Sequence, residues 1–232
     1  MMDAREPSLP RPARGRFITV EGVDGAGKSS HIEAIAAQIR AAGHALVVTR
    51  EPGGTPLGEQ LRQLLLSEPM DIGTEVLLMF AARREHIVQV IEPALAAGRW
   101  VLSDRFTDAT FAYQGAGRGL GEQRVAVLER WVQAWGDGKG DVMGYTEAPL
   151  LQPDLTLVFD VPVEVARQRL LRDPEQLDRF ETELGPFHQR VRDEYLRRVV
   201  REPQRMRRID SSLARPEVEK IVSEIIVSYC FN

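Results

Sequence analysis

The feature that most constrains the fold of this chain is a glycine-rich segment, Gly22–Ser29, which reads G-V-D-G-A-G-K-S. It fits the pattern G-x-x-x-x-G-K-[ST] without a mismatch. The apolar stretch Phe17–Glu21 before it predicts a strand, and the amphipathic stretch Ser29–Ala42 after it predicts a helix. In such a strand–loop–helix unit the glycines let successive backbone N–H groups face phosphate oxygens. The sequence therefore predicts an α/β fold that binds a nucleoside triphosphate.

Two positions of this phosphate loop carry distinct predicted chemistry. Lys28 is expected to bridge the β- and γ-phosphates of ATP, and the Ser29 hydroxyl is expected to bind Mg²⁺. Lysine otherwise occurs only at Lys139 and Lys220, so a lysine at the motif position stands out. The predicted ATP-binding residues are Gly22, Val23, Asp24, Gly25, Ala26, Gly27, Lys28, Ser29 and Ser30.

Short apolar strands alternate with amphipathic helices along the rest of the chain. Strands are predicted at Phe17–Glu21, Ala45–Thr49, Trp100–Ser103, Leu155–Phe159 and Arg207–Ile209. Helices are predicted at Ser29–Ala42, around Leu57–Leu65, from a Thr74 cap onward, around Arg124–Trp135, and at Val163–Leu171, Phe187–Val200 and Pro216–Ser228. Nearly continuous apolar strands are typical of a parallel sheet that is covered on both faces. We therefore expect a five-stranded parallel sheet with helices on both faces.

Composition and charge restrict the class of protein further. The 232 residues carry a net charge of −4, which argues against a dedicated duplex-DNA binder. There is no apolar run of the ~18 residues that a membrane span needs, and no apolar signal-peptide stretch. The one cysteine, Cys230, cannot form an internal disulfide. We expect a cytoplasmic protein with no nucleic-acid partner and no membrane association.

The chain is expected to form one domain over residues 16–232. Residues 1–15 combine prolines and charges without periodicity and are predicted to be a flexible tail. A stretch rich in glycine and proline, at about 136–151, is predicted to be a surface insertion.

Polar side chains follow three further predicted strands. They are Arg50 and Glu51 after the second strand, Asp104 and Arg105 after the third, and Asp160 after the fourth. Ligands of parallel α/β sheets bind beyond the carboxyl ends of the strands, so these side chains are expected around one crevice. Asp104 would then lie near a metal ion, and Arg105 near a second anion.

Two classes of phosphate-loop protein are disfavoured. Ordinary GTPases read guanine through an Asn-Lys-x-Asp loop, and the only asparagine of this chain is Asn232. A motor or remodelling ATPase usually needs a longer chain and partner contacts, and nothing in the sequence demands either.

A set of motifs extends over most of the chain. It comprises E-G-V-D-G-A-G-K-S at Glu21–Ser29, T-R-E-P-G-G at Thr49–Gly54, F-A-A-R at Phe80–Arg83, D-R-F at Asp104–Phe106, A-Y-Q-G at Ala112–Gly115 and L-D-R-F-E at Leu177–Glu181. Together the motifs resemble those of the bacterial thymidylate kinases, a family of P-loop nucleoside-monophosphate kinases, from about Arg16 to about Ser228. The resemblance implies a three-layer P-loop NTPase fold with a small lid at about 167–182, and a homodimer.

The same resemblance implies transfer of the γ-phosphoryl group of ATP to dTMP with Mg²⁺, giving dTDP and ADP. The implied catalytic residues are Lys28, Arg105, Asp24, Arg172 and Arg179, the last two preferred among the lid arginines Arg167, Arg169, Arg172 and Arg179. The implied dTMP-binding residues are Asp24, Arg50, Glu51, Phe80, Arg83, Arg105, Thr110, Tyr113 and Gln114. The implied Mg²⁺ ligands, partly through water, are Ser29, Asp104 and Glu51. Either Met79 or Phe80 is expected to stack on thymine.

Two other functions stay open on the sequence alone. The nearest is a nucleotide kinase that acts on dUMP, CMP or a deoxynucleoside, which the residues expected to read the base would distinguish. The other is a non-catalytic ATP-binding regulator, which could dispense with Arg105 and the lid arginines.

Overall fold

Five parallel strands form the central sheet of the structure, a computed structural model that describes residues 13–134, 149–172 and 177–231. The strands are β1 Phe17–Glu21, β2 Leu46–Arg50, β3 Trp100–Asp104, β4 Leu155–Asp160 and β5 Met206–Asp210. Their order across the sheet is β2-β3-β1-β4-β5, and each neighbouring pair is parallel. The predicted five-stranded parallel sheet is therefore confirmed.

Helices connect the strands and cover the sheet. They are α1 Ser29–Ala41, α2 Pro56–Ser67, α3 Ile72–His86, α4 Glu92–Ala96, α5 Thr107–Thr110, α6 Glu122–Gln133, α7 Val163–Leu170, α8 Gly185–Arg201 and α9 Arg215–Phe231. π-Helical segments at Ile87–Ile91 and Phe111–Gly117 follow α3 and α5. The helices that the sequence predicts agree with these within a few residues at each end, but α5 and the segment after it were not predicted.

One predicted helix start is wrong. α3 begins at Ile72 and is capped by Asp71, whose carboxylate accepts hydrogen bonds from Gly73 N at 2.7 Å and Thr74 N at 3.4 Å. An aspartate just before the first turn is among the strongest N-caps, so it takes the role that Thr74 was expected to have.

The core lies on both faces of the sheet because successive strand residues face opposite sides. Ile18 of β1 and Leu102 of β3 pack into one cluster with apolar residues of α1, α8 and α9. Phe17 and Val101, their neighbours in sequence, pack into a second cluster with apolar residues of α3, α4 and α6. The result is the three-layer arrangement of helices, sheet and helices that the sequence predicted.

Three predicted segments lie wholly or partly outside the described residues. Only 13–15 of the tail at 1–15 and only 149–151 of the insertion at 136–151 are described. Residues 173–176 of the predicted lid lie outside as well. Within the described ranges no helix is long and apolar enough to cross a membrane.

A buried ion cluster joins α5 to α8. Asp108 of α5 is 1% exposed, and its carboxylate accepts hydrogen bonds from Arg198 Nε at 2.6 Å and Arg205 Nη1 at 2.8 Å. Burial alone would raise the pKa of Asp108, but the two guanidinium groups outweigh it and hold the pKa below its usual range. The charged carboxylate therefore fixes α8 against the turn that follows β3.

Candidate active site

The phosphate loop joins β1 to α1 in a conformation that requires glycine at two positions. Gly22 and Gly25 have φ angles of 137° and 77°. A Cβ atom would lie 2.3 Å from the Phe159 carbonyl oxygen at Gly22, and 2.3 Å from the Ala166 carbonyl oxygen at Gly25. Both the backbone conformation and the close approach exclude a side chain here. The loop is thereby held tightly against β4 and α7.

Lys28 lies inside this loop with its ammonium group almost fully buried. Its Nζ donates hydrogen bonds to the carbonyl oxygens of Gly22 at 3.0 Å and Val23 at 2.9 Å. Burial, and then the positive charge of Arg105, lower the pKa of Lys28 to about 8. A nearby anion would favour the charged ammonium form again, so the position is prepared for a phosphate group.

Arg105 follows β3 and extends its guanidinium group to the phosphate loop. Its Nη1 donates to the Gly22 carbonyl oxygen at 3.0 Å, and its Nη2 forms an ion pair with Asp24. The φ angle of Arg105 is 70°, a left-handed conformation that is uncommon for a residue with a side chain. Ser103 Oγ donates to the Arg105 carbonyl oxygen at 2.7 Å and helps to hold that conformation. Strain of this kind accumulates at functional sites.

Asp24, within the loop, is the partner that Arg105 and Tyr113 share. Its Oδ2 accepts a hydrogen bond from the Tyr113 hydroxyl at 2.6 Å. Burial alone would raise the pKa of Asp24, but the charges of Arg105 and Lys28 outweigh it and lower the pKa to about 2. The structure thus brings together four residues that the sequence assigned to one site.

A cavity, which we call the inner cavity, opens beside the Asp24–Arg105 pair. Its lining combines charged groups with apolar walls, as is typical of a small-molecule site. The lining includes Asp24, Glu51, Arg62, Met79, Arg83, Arg105, Phe106, Thr110, Tyr113, Gln114, Asp178 and Phe180. Most of the predicted dTMP-binding residues therefore meet around this one cavity.

Arg83 is held firmly in the wall of the inner cavity. Its Nε donates to Glu51 Oε2 at 2.8 Å and its Nη2 to Thr110 Oγ1 at 2.9 Å. The other carboxylate oxygen of Glu51 is hydrogen-bonded to His86 Nδ1 at 2.9 Å. Arg83 Nη1 is buried and has no hydrogen-bond partner among the described residues. Because an unpaired buried donor is costly, Nη1 is available to an acceptor oxygen of a ligand.

Met79, rather than Phe80, lines the inner cavity. Phe80 is buried in the core cluster beneath α3, and its ring centre lies 4.8 Å from the guanidinium carbon of Arg83. Adjacent residues of a helix point about 100° apart, so only one of the two faces the cavity. Of the two residues expected to stack on thymine, Met79 therefore faces the cavity, and Phe80 packs against Arg83.

Gln114 and Arg179 meet at a buried carboxylate that the sequence analysis did not single out. Glu75 of α3 accepts a hydrogen bond from Gln114 Nε2 at 2.8 Å and pairs with Arg179 Nη1 at 2.8 Å. Arg179 Nη2 also donates to the Leu65 carbonyl oxygen at 2.8 Å. Arg179 therefore contacts α2 and α3, and not the phosphate loop where a catalytic lid arginine was expected.

Arg169 is the lid arginine that contacts the phosphate loop. Its Nη1 donates to the Gly25 carbonyl oxygen at 3.3 Å, and its Nη2 to the Ser211 carbonyl oxygen at 2.9 Å, in the loop after β5. Arg172, which the sequence analysis preferred, is exposed. The reason is that α7 ends at Leu170, so Arg172 lies beyond the helix that positions Arg169.

Arg50 lies outside the inner cavity. It lines a separate groove together with Asp104 and Glu59, and its Nη2 pairs with Glu59 Oε2 at 2.8 Å. Successive residues at the end of a strand face opposite sides, so Arg50 and Glu51 cannot both face the cavity. The structure therefore does not support Arg50 as a residue that touches the acceptor.

Asp104 and Ser29 are suited to hold Mg²⁺. Asp104 Oδ1 is buried and has no hydrogen-bond partner in the described parts of the chain, while Ser29 and Ser30 are exposed at the start of α1. Mg²⁺ prefers oxygen ligands and is usually held by one or two protein groups together with phosphate and water. Glu51 is less suited, because both of its carboxylate oxygens are already hydrogen-bonded to side chains.

Three helix residues are among those at or behind the site that the sequence did not indicate. They are Arg62, Glu75 and Tyr195. Each lies inside an amphipathic helix, where a charged or aromatic residue is usually surface or core. Glu75 offered one signal, because it precedes the buried Val76 near the start of α3, where a charge on the core side needs a partner.

The fold and the site together indicate the class of protein. The molecule is a P-loop protein whose phosphate loop lies at the end of β1, and Arg105 lies at the end of the neighbouring strand β3. Ligands of parallel α/β sheets bind beyond the carboxyl ends of the strands, so this arrangement suits an enzyme that transfers phosphoryl groups.

Comparisons with known proteins identify the family within this class. The thymidylate kinase family model matches residues 20–225. The thymidylate kinase of Cupriavidus metallidurans is 57% identical over 217 residues, which cover 93% of this chain and 99% of the relative. That of Methylobacillus flagellatus is 55% identical over 215 residues, which cover 92% and 97%. The crystal structure of thymidylate kinase from Ehrlichia chaffeensis matches with a TM-score of 0.68 and 30% identity, over 92% of this chain and 99% of that one. The chain belongs to the thymidylate kinase family.

Proposed function

We propose that this chain transfers the γ-phosphoryl group of ATP to dTMP, giving ADP and dTDP. The observation that carries the proposal is the inner cavity, which places Arg105 beside the phosphate loop and offers the buried, unpartnered Nη1 of Arg83. A nucleoside monophosphate combines an anion with a base that has a polar edge, so it matches these two arginines. Identities of 51% to 57% to thymidylate kinases over most of the chain support dTMP as that nucleotide.

The residues of the chain act mainly by bringing two anions together and neutralising their charge. A phosphate oxygen of dTMP attacks the γ-phosphorus of ATP, the bond to the β–γ bridging oxygen breaks, and ADP leaves. Lys28 neutralises charge on the β- and γ-phosphates. Arg105 binds the acceptor phosphate, and Asp24 holds its guanidinium group at the loop until that phosphate arrives. Closing the cavity excludes water and strengthens each of these interactions.

Recognition of the base depends on Arg83 in this proposal. Its Nη1 donates to a carbonyl oxygen of thymine, while Glu51 and Thr110 fix the rest of the guanidinium group. Met79 supplies apolar surface against the ring, and Gln114 contributes a polar group at the same wall.

Mg²⁺ is part of the proposal, with Asp104 and Ser29 as the residues that would hold it. When bound, the ion would add positive charge beside the β- and γ-phosphates. The negative charge of Asp104 also acts to raise the pKa of Lys28. The same carboxylate would therefore stabilise both the lysine and the metal ion.

The proposal is tested by a coupled ADP-release assay with ATP, Mg²⁺ and a panel of acceptors: dTMP, dUMP, CMP, AMP and GMP. We expect turnover with dTMP, weaker turnover with dUMP and none with the other three, and loss of activity when EDTA removes the metal. Turnover with CMP or AMP instead would reassign the acceptor. ATP binding without any acceptor-dependent ADP release would support the regulator and contradict the kinase.

Replacing Arg105 with alanine is expected to raise the KM for dTMP by about 10- to 100-fold, because a charge-assisted hydrogen bond to the acceptor is lost. The affinity for ATP, measured by calorimetry, should fall much less than the affinity for dTMP, since Lys28 and the glycines that shape the loop are retained. Arg50→Ala is the matched control, because it removes an arginine from the neighbouring groove. An equal loss of ATP affinity in Arg105→Ala would refute this division of roles.

We also propose that the enzyme is a homodimer, as the family resemblance implied. Val127 and Trp131 lie one turn apart on α6 and are 69% and 56% exposed, and Leu77 on the contacting helix α3 is 55% exposed. Apolar groups on neighbouring helices are typical of a protein interface. Sedimentation should give about twice the chain mass of 26.0 kDa. The cytoplasmic location stays a prediction from composition.

A further inference from the structure

A chain of hydrogen bonds lies behind Arg105, outside the residues that line the inner cavity. Arg105 Nη1 donates to the Tyr195 phenol oxygen at 3.2 Å, and the Tyr195 hydroxyl donates to Glu21 Oε2 at 2.8 Å. Glu21 Oε1 accepts a second hydrogen bond, from Phe106 N at 2.7 Å. One carboxylate therefore holds the guanidinium group of Arg105 through Tyr195, and also holds the backbone that directly follows Arg105.

Glu21 and Tyr195 are both almost completely buried. Glu21 is 0% exposed and Tyr195 is 2% exposed. Burial, and then the charge of Asp108, raise the pKa of Glu21. Burial also raises the pKa of Tyr195 well above its usual value, so its hydroxyl keeps the proton that it donates. A carboxylate in the core is costly unless its oxygens are hydrogen-bonded, and the bonds to Tyr195 and Phe106 meet that need.

The backbone of Arg105 shows why such support is needed. Its φ of 70° lies in the left-handed region, and its N–H donates to the Val20 carbonyl oxygen at 3.0 Å. A residue in that region persists only when its surroundings fix it. The Glu21–Phe106 hydrogen bond fixes the peptide on one side, and Tyr195 fixes the far end of the side chain.

The remaining partners of Arg105 belong to the site itself. Asp24 and Tyr113 both line the inner cavity, so an acceptor phosphate competes with them for the guanidinium group. Tyr195 and Glu21 are not part of that lining, and a bound acceptor leaves their hydrogen bonds in place. Together with the carbonyl oxygen of Gly22, these two residues therefore support the guanidinium group of Arg105 in the acceptor-bound state as well.

We propose that Tyr195 and Glu21 are positioning residues, which hold Arg105 in the orientation that binds the acceptor phosphate. The inference rests on the proposed function, in which Arg105 binds the phosphate of dTMP. It assigns a role to α8, the helix that follows the lid, because Tyr195 connects that helix to the acceptor site. It also assigns Glu21, the residue directly before the phosphate loop, to the support of the residue that binds the acceptor.

Tyr195→Phe is the principal test, because it removes one hydroxyl and keeps the ring. We expect the Kd for dTMP, measured by calorimetry, and the KM for dTMP to rise about tenfold. This is about the effect of losing one hydrogen bond to a charged group. The KM for ATP should change by less than about twofold. The thermal unfolding temperature should fall by a few degrees, because Glu21 Oε2 loses its hydrogen bond, but the protein should stay folded at the temperature of the assay. Tyr229→Phe is the matched control: it removes the same group from a half-buried tyrosine on α9, far from the site.

A double-mutant cycle separates positioning from general structural support. In an Arg105→Ala background, Tyr195→Phe should cause no further loss of dTMP affinity, because it acts through Arg105. Glu21→Gln is a second variant, which should raise the Kd for dTMP in the same way if Tyr195→Phe lowers the yield of folded protein. Additive losses in the cycle, or an unchanged Kd for dTMP in a folded Tyr195→Phe, would overturn the inference.

The binding experiment also separates this inference from the proposed function. The same calorimetry is run with dUMP, CMP, AMP and GMP. If the wild-type protein binds one of these and not dTMP, the assignment of the acceptor fails, while the effect of Tyr195→Phe is measured on the nucleotide that binds. If dTMP binds the wild type and Tyr195→Phe equally well, the inference fails and the proposed function stands.

Discussion

Lys28→Ala is expected to lower the rate of phosphoryl transfer by about 1,000-fold or more, the size of effect seen when a principal charge-neutralising group is removed from such a site. The physical reason is the position of Nζ, within 3.0 Å of two loop carbonyl oxygens and next to the N-terminus of α1. No other lysine of the described residues lies near the loop, and the neighbouring cations Arg105 and Arg169 are held by partners of their own. The rate is measured by single-turnover transfer with saturating ATP and dTMP.

Lys220→Ala is the control for this experiment. Lys220 also lies on a helix, but its side chain is 77% exposed and its ion pair with Glu224 spans 4.0 Å. Its loss should leave the transfer rate unchanged. Circular dichroism should show the same fold for both variants, because the loop is shaped by its glycines rather than by Lys28. Transfer by Lys28→Ala within tenfold of the wild-type rate would contradict the assigned role.

Asp108→Asn is expected to lower the free energy of unfolding by about 3–5 kcal/mol, the usual effect of removing one partner from a buried ion pair. The amide keeps the shape of the side chain but deprives Arg198 and Arg205 of the buried carboxylate that they share. Urea unfolding followed by fluorescence measures the change. A loss of this size is a large share of the ~5–15 kcal/mol that stabilises a typical domain.

The same variant has a defined pH dependence. The pKa of Asp108 is lowered in the folded protein, so its ion pairs contribute fully above the unfolded pKa of about 3.9 and are lost as the pH falls below that value. The difference in unfolding free energy between wild type and Asp108→Asn should therefore be greatest near neutral pH and narrow below about pH 4. Glu122→Gln is the control, because Glu122 and Arg201 form a pair that is half exposed on both sides. A similar loss in both variants would contradict the importance of the buried cluster.

The fold was predictable because its signals are local. The G-x-x-x-x-G-K-S pattern, apolar strands of five or six residues and amphipathic helices each act over short stretches, and the parallel sheet follows from their alternation. Polar residues at strand ends, such as Glu51 and Arg105, were predicted at one crevice for the same reason. Both line the inner cavity in the structure.

The remaining errors come from side-chain direction, which spacing alone does not determine. Met79 and Phe80 differ by one helix position, and Arg50 and Glu51 by one strand position, yet only one member of each pair lines the cavity. The contacts of the lid arginines were not predictable for another reason, because their partners are distant in sequence. Glu75, which holds Arg179, is separated from it by most of α3, β3, α6 and β4.

The pairing of β1 with β3 sets Val20 directly beside Asp104. Neighbouring strands lie about 4.8 Å apart, a separation that their backbone hydrogen bonds maintain. In the proposed function, the residues that bind the donor follow β1 and those that bind the acceptor follow β3. The distance between these two strand ends is set by the sheet and not by any loop. Changes in the length of the insertion or in the sequence of the lid leave that distance untouched. The sheet therefore fixes the spacing of the two sites, while the surrounding loops are free to vary in length and sequence.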